Sequence, residues 1–222
     1  AVIKYPASAQ AEAFRSLRTS LSLLPEEEDR RFILFTSASP DEGKSYCSLN
    51  TAAAFAQQGL PTLLIDGDLR RPSLQRLLVG WNENPGLTDC LKNPELFQQA
   101  VQSTPIDNLF CLGDRKGRPG NSELLGRSGL HEILQRSQAN FERVVIDTAP
   151  LLAVSDTLYI AKNVSTICLV VSAGRTPRRM VRRAVKLLEE VAKRVPAGVI
   201  LNKASRAAAD SHYYYYNAAG RA

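Results

Sequence analysis

The chain has 222 residues, 44% of them apolar and 23% charged, a composition that excludes wholesale disorder and needs no disulfide or metal staple to close a core. Its 28 Lys and Arg against 22 Asp and Glu leave a formal charge of +6, which permits a phosphate-bearing partner and falls well short of a polycation. No apolar run reaches the length of a bilayer span and no secretory leader is read at the front, so a cytoplasmic domain is expected; the start at Ala1 rather than Met is expected of a piece of a longer chain.

In chain order, Ala11, Phe14, Leu17, Leu21 and Leu24 recur at spacings of three and four and predict a helical arm over 8–23, followed by an acidic loop, Glu26–Asp29. Short apolar runs then alternate with helical stretches: Phe32–Phe35, Leu63–Ile65, Leu109–Leu112, Val144–Ile146, Ile167–Val171 and Val199–Leu201 predict strands. Runs that are apolar at every position predict a parallel sheet covered on both faces. A helix over 48–58 is expected to stop at Gly59, and one over 177–195 to start with Thr176 as N-cap and Pro177 in its first turn. Residues 204–222 carry no periodicity and hold four consecutive tyrosines, as expected of a flexible tail. The chain therefore divides into an arm (1–30), a doubly wound, mostly parallel α/β domain (31–203) and a tail (204–222). Cys47, Cys90, Cys111 and Cys168 form no C-x-x-C pair, which favours buried, reduced thiols over a zinc ribbon or a disulfide framework.

The strand Phe32–Phe35 runs into Ala38-Ser39-Pro40-Asp41-Glu42-Gly43-Lys44-Ser45 and then a helix, a Walker A phosphate loop with Ala38 in place of its first glycine. Such a loop turns main-chain N–H groups onto phosphates at a helix N-terminus. Gly43 permits close approach, Lys44 neutralises phosphate charge and Ser45 offers a hydroxyl to Mg²⁺. Ser39 to Ser45, with Tyr46 behind them, are the expected nucleotide contacts. The competing reading is an ordinary strand–turn–helix connection. Asp66 and Asp68 end a second buried strand on one face, and Asp147 ends a third in a Walker B pattern. One such acid alone reads equally well as a helix cap. Three at strand ends beside a P-loop predict a Mg-nucleotide site with Ser45, Asp66, Asp68 and Asp147 around the metal, in the crevice beyond the sheet's carboxyl edge. Lys44, Asp66, Asp68 and Asp147 are the candidate catalytic residues.

Together with Pro119–Leu125, Glu12-x-x-Arg15-x-x-Arg18 and Tyr213–Tyr216, these motifs resemble, in order and over nearly the whole chain, the bacterial tyrosine kinases of exopolysaccharide and capsule export. The resemblance implies an ATP- and Mg²⁺-dependent protein-tyrosine kinase that phosphorylates the cluster Tyr213, Tyr214, Tyr215 and Tyr216 in trans. It further implies a homo-oligomeric ring, an octamer in the family, joined through Glu12, Arg15 and Arg18. A membrane polysaccharide co-polymerase as activator, a tyrosine phosphatase as antagonist, tethering at the inner face of the plasma membrane and adenine contact by Asn202 complete the implied picture; a strand-end turn is the plain alternative for Asn202. Within it Asp66 and Asp68 divide metal contact and acceptance of the tyrosine proton, with Asp66 favoured as the base. Within Pro119–Leu125, Ser122 stands where the family usually has proline. Partitioning-type ATPases are the main rival, but the position of their signature lysine is Ser39; a non-catalytic nucleotide-binding scaffold is the other alternative. Arg178, Arg179, Arg182, Arg183 and Lys186 crowd one side of the last helix, as either a solvated face or a patch for an anionic partner, and nucleic acid is not expected because no aromatic residues interleave with them. His131 and His212 read as incidental.

Overall fold

The computed structural model describes residues 1–24, 30–80, 84–117, 120–192 and 197–204. Glu26–Asp29, Pro119, Val195 and the tyrosine cluster lie outside the described residues. Among the described residues seven strands form one sheet: β1 (Phe32–Ser37), β2 (Thr62–Asp66), β3 (Gln102–Ser103), β4 (Leu109–Leu112), β5 (Arg143–Asp147), β6 (Thr166–Ser172) and β7 (Gly198–Asn202). Their order is β3-β4-β2-β5-β1-β6-β7, and every pairing is parallel except that of β3 with β4. β5 thus lies between β1 and β2, and its pairing with β2 places Asp147 opposite Asp66.

Both faces are covered over the central strands β2, β5, β1 and β6, which is why these are apolar over most of their length, whereas the edge strand β7 leaves Val199 and Leu201 exposed and β3 is polar. Ile33, Phe35, Leu64, Val145, Cys168 and Val170 pack towards α1 (Ala9–Ser22) and α2 (Lys44–Ala56). Leu34, Leu63, Ile65, Val144, Ile146, Ile167 and Leu169 point the other way, towards α4 (Leu87–Lys92), α6 (Ser128–Asn140), α7 (Asp156–Ala161) and α8 (Arg178–Leu187). The alternation follows the two-residue period of the strand. Two further short helices are α3 (Leu74–Leu78) and α5 (Phe97–Ala100). Ala52, Ala53, Ala54 and Ala56 are all buried, and these small side chains let α2 lie close against the sheet. All four cysteines are free and buried; desolvation, as the leading cause, pushes the thiols of Cys47, Cys90 and Cys168 up to about 12.

The boundaries of two helices differ from expectation. α2 starts at Lys44 rather than at residue 48, because its first turn faces the phosphate loop and carries no apolar stripe. It ends at Ala56, and Gly59 (φ +85°) closes the turn that follows. α8 ends at Leu187 and passes into a π turn, Leu188–Ala192, while Pro177 occupies its N-cap position. The Thr176 side chain does not cap α8: its oxygen accepts from the Ser172 N–H at 3.1 Å and its hydroxyl donates to Glu42.

Candidate active site

β1 delivers the phosphate loop and α2 leaves it. Gly43 (φ +92°) makes the reversal between them, and a Cβ there would come within 2.1 Å of the Asn202 side-chain nitrogen. That nitrogen donates to the Glu42 carbonyl at 2.9 Å, and Lys203 Nζ donates to the Asp41 carbonyl at 2.5 Å, so the end of β7 holds the loop from outside. Asp41 itself adopts φ +61°, a conformation that short polar side chains tolerate and β-branched ones do not. Asp41→Val is therefore expected to cost about 1–2 kcal/mol, read as a lowered urea midpoint at unchanged m-value.

Lys44 stands at the centre. Its Nζ donates to Ser45 Oγ at 3.2 Å and to Asp68 Oδ2 at 3.3 Å, and lies 3.6 Å from Asp147 Oδ2. Burial alone pulls the ammonium's pKa down, but Asp147, Asp68 and Asp66 together outweigh it and hold Lys44 above its ordinary value, so it stays charged. Ser45 donates its hydroxyl to Asp147 Oδ2 at 2.5 Å. Asp147 Oδ1 is buried with no hydrogen-bond partner.

Asp66 and Asp68 are separated by their surroundings. Asp66 is 1% exposed; Oδ2 accepts from the Ser73 and Leu74 N–H groups at 2.7 and 2.8 Å, and Oδ1 from the Asp68 N–H at 3.4 Å. Asp68 turns one oxygen to Lys44 and the other to the Arg71 N–H at 3.1 Å. Gly67 between them donates to the Asp147 carbonyl at 2.8 Å, an approach that a Cβ would block. Burial, then repulsion from Asp147, raises the pKa of Asp66; burial also raises Asp147, against the opposing pull of Lys44 and Ser45.

Three carboxylates facing one lysine leave the site short of positive charge. Together with the orphaned Asp147 oxygen and the Ser45 hydroxyl, this suits a hard divalent cation. Among the described residues no cluster of three or more His, Cys, Asp or Glu side chains is arranged to hold a metal alone.

Sequence similarity then supplies the family. No family model matches the chain. The tyrosine-protein kinase YwqD of Bacillus subtilis is 32% identical over 211 residues, covering 95% of this chain and 88% of that protein. The chain belongs to the bacterial tyrosine kinase family. Among solved structures, the kinase domain of Escherichia coli tyrosine kinase ETK matches this kinase with a TM-score of 0.86 at 31% identity, covering 93% of the chain and 80% of that domain. The chimerical protein CapA2B2 matches with a TM-score of 0.83 at 28% identity, covering 92% and 89%. The kinase spans 28% of the full-length E. coli protein.

The other expected site residues fall into distinct places. Tyr46 is 41% exposed and packs edge-on against Phe14, with ring centroids 5.6 Å apart. With Asn202 the two line a cleft of about 630 Å³ between α1, the start of α2 and β7. On α1, Arg15 pairs with Glu12 at 2.7 Å and also donates to the Pro6 carbonyl at 2.5 Å. Arg18 instead reaches the Ala54 carbonyl of α2 at 3.2 Å, so this arginine fastens the arm to its own domain.

The contacts of several further residues are not readable from the sequence, although Arg70 and Arg71 directly follow the Asp66–Asp68 segment and Asn121 and Glu123 lie in Pro119–Leu125. Arg70 pairs with Asp156 at 2.6 Å across a cleft of about 790 Å³ beside the Asp66–Asp68 loop, with Arg71, Glu123 and Tyr159 on its walls. Asp114 is buried and accepts both the N–H (3.0 Å) and the hydroxyl of Thr88, to which Asn121 also donates at 3.1 Å. That network gives Asn121 a structural task. No local pattern marks any of these pairs, because their members lie far apart in the chain.

Proposed function

We propose that this kinase transfers the γ-phosphoryl group of ATP to Tyr213–Tyr216 of a neighbouring copy, and so regulates polysaccharide polymerisation or export. The observation that carries the reading is the convergence of Lys44, Ser45, Asp68 and the half-unpartnered Asp147 on the mouth of the phosphate loop. Ser45 and Asp147, with Asp66 and Asp68 behind them, would hold Mg²⁺, which when bound neutralises phosphate charge. The loop N–H groups and Lys44 hold the phosphates and oppose the charge that develops during transfer. Asn202, Tyr46 and Phe14 suit the base end of the nucleotide, and the Arg70–Tyr159 cleft suits an incoming tyrosine segment.

Asp68 is the better candidate for the proton acceptor than Asp66. Asp66 is committed to three main-chain N–H groups, whereas Asp68 is the more exposed of the two and turns an oxygen towards Lys44. In the transfer the bond from the γ-phosphorus to the bridging oxygen breaks, the tyrosine oxygen bonds to phosphorus, and its proton passes to Asp68. Transfer between copies suits an acceptor cluster that follows β7 closely in the chain. The exposed Glu12–Arg15 pair is available for the contact between copies in a ring, which the family makes an octamer. The two named parts joined in CapA2B2 support a membrane co-polymerase segment as activator, and a tyrosine phosphatase would reverse the modification. Among the described residues no helix is long and apolar enough to cross a membrane, so tethering to the inner membrane face would come through that segment.

Intact-mass analysis after incubation with Mg-ATP tests the reading. Successive additions of phosphate, mapped to Tyr213–Tyr216, are expected. Release of ADP with no change in protein mass would make the chain an ATPase instead.

A further inference from the structure

Glu42 sits inside the phosphate loop, yet its side chain is 3% exposed and folded back beneath it. One carboxylate oxygen accepts the Ser39 N–H at 2.8 Å, and the other accepts the Thr176 hydroxyl. Thr176 belongs to none of the nucleotide motifs. It stands in the turn from β6 to α8, anchored there by the Ser172 N–H at 3.1 Å on its side-chain oxygen and by its own N–H on the Ser172 carbonyl at 3.0 Å. The Ser39 hydroxyl completes the contact, 3.8 Å from the sulfur of Met180 at the start of α8. A buried carboxylate is costly unless its oxygens are satisfied, and among the described residues no cation pairs with Glu42. Its retention therefore depends on these two donors, each strengthened by the charge it meets.

We propose that Glu42 is a positioning residue for phosphoryl transfer, bracing the phosphate loop against the β6–α8 turn through Ser39 and Thr176. The two limbs of the loop are pinned separately. Ser39 on the entering limb is held by the Glu42 carboxylate, and the Glu42 carbonyl on the leaving limb is held by Asn202 at 2.9 Å. With both limbs fixed, the main-chain N–H groups that follow need no reorganisation when phosphate arrives, which is where a preorganised site gains over water. The brace also links the phosphate loop to α8, whose Arg178, Arg179, Arg182 and Arg183 are exposed. The inference rests on the reading of Ser39–Ser45 as the phosphate loop.

Thr176→Val keeps the shape of the side chain and removes its donor, Thr176→Ser restores the donor, and Glu42→Gln removes the charge. The measurements are KM for ATP and kcat on a peptide carrying Tyr213–Tyr216, Mg-ADP affinity by calorimetry, and exchange of the Ser39 amide proton. Thr176→Val and Glu42→Gln are expected to raise KM for ATP and the Mg-ADP Kd together by about 10-fold, as for one or two lost hydrogen bonds. KM for the peptide should not move, Ser39 exchange should quicken, and Thr176→Ser should restore all of these. Variants that lose thermal stability while keeping the parent's nucleotide affinity and Ser39 protection would reduce Glu42 to a packing role and overturn the proposal. Lys44→Met serves as a control on the underlying reading: if it retains full phosphoryl transfer, the loop assignment is what fails.

Discussion

Replacement of Lys44 by methionine is expected to lower tyrosine phosphorylation by about 10²–10³-fold or more while leaving the circular dichroism spectrum unchanged. Among the described residues the lysine is the one cation paired with Asp68 and Asp147, and its side chain is 14% exposed, so its charge acts in a partly desolvated site where it counts for more than in water. The fold should survive because Lys44 lies beyond the carboxyl end of β1, whereas the core is carried by residues such as Phe35, Phe55 and Val145. Methionine leaves Asp147 without the attraction that opposes its burial, so its pKa, already above the ordinary value, should rise further. A carboxylate raised in the folded state binds more protons folded than unfolded between its ordinary and its raised pKa. Stability therefore falls as pH rises through that window and levels off above it. Denaturant melts between pH 4 and pH 8 should show a steeper fall for Lys44→Met than for the parent (these two limits being about the ordinary carboxylate value and neutrality). A variant that still phosphorylates at the parent's rate would remove Lys44 from the site.

Conversion of Tyr213–Tyr216 to phenylalanine is expected to eliminate nearly all self-phosphorylation and to leave the active site intact. Phenylalanine keeps the bulk of the ring and removes only the accepting oxygen. The variant should therefore still phosphorylate the tail of a Lys44→Met protein supplied in trans, which separates loss of the acceptor from loss of the catalyst. In the unaltered protein each phosphotyrosine brings about −1.5 to −2 charges, so four bring up to about −8 against a formal +6. That change is concentrated at one end of the chain, and a phosphorylated tail would meet Asp66, Asp68 and Asp147 in a neighbour's site, where like charges favour release. Light scattering after size-exclusion chromatography should find a ring before Mg-ATP, monomer after it, and the ring again after a tyrosine phosphatase. The phenylalanine variant should remain a ring throughout. Phosphate found mainly on Tyr5, Tyr46 or Tyr159 would displace the tail as acceptor, and a fully phosphorylated ring would show that tail charge does not govern assembly.

What the sequence determines by itself is whatever is written in contiguous residues. The strands β1, β2, β5 and β6 are runs of apolar side chains because both faces of a parallel sheet are buried, and a run of that kind is visible without knowing its neighbours. The phosphate loop and the acids at Asp66, Asp68 and Asp147 are equally local, since each follows directly from a strand. Short elements were illegible: α4, α5 and α7 have four to six residues, too few to establish a helical period, and β3 has two polar ones. In α6 the stripe of Leu130, Ile133 and Leu134 runs on to a buried Ser137, which weakens its apolar signal. The tertiary structure alone decides which groups meet. Lys44 finds Asp68 across 24 residues, Ser45 finds Asp147 across 102, and Thr176 finds Glu42 across 134. It also divides the two neighbouring acids, placing Asp66 against the start of α3 and Asp68 against Lys44, although their spacing puts both on the same side of the chain. Charge and hydrogen bonding act over a few ångströms of space and take no account of distance along the chain, so the roles of these residues appear only once the sheet has brought their strands side by side.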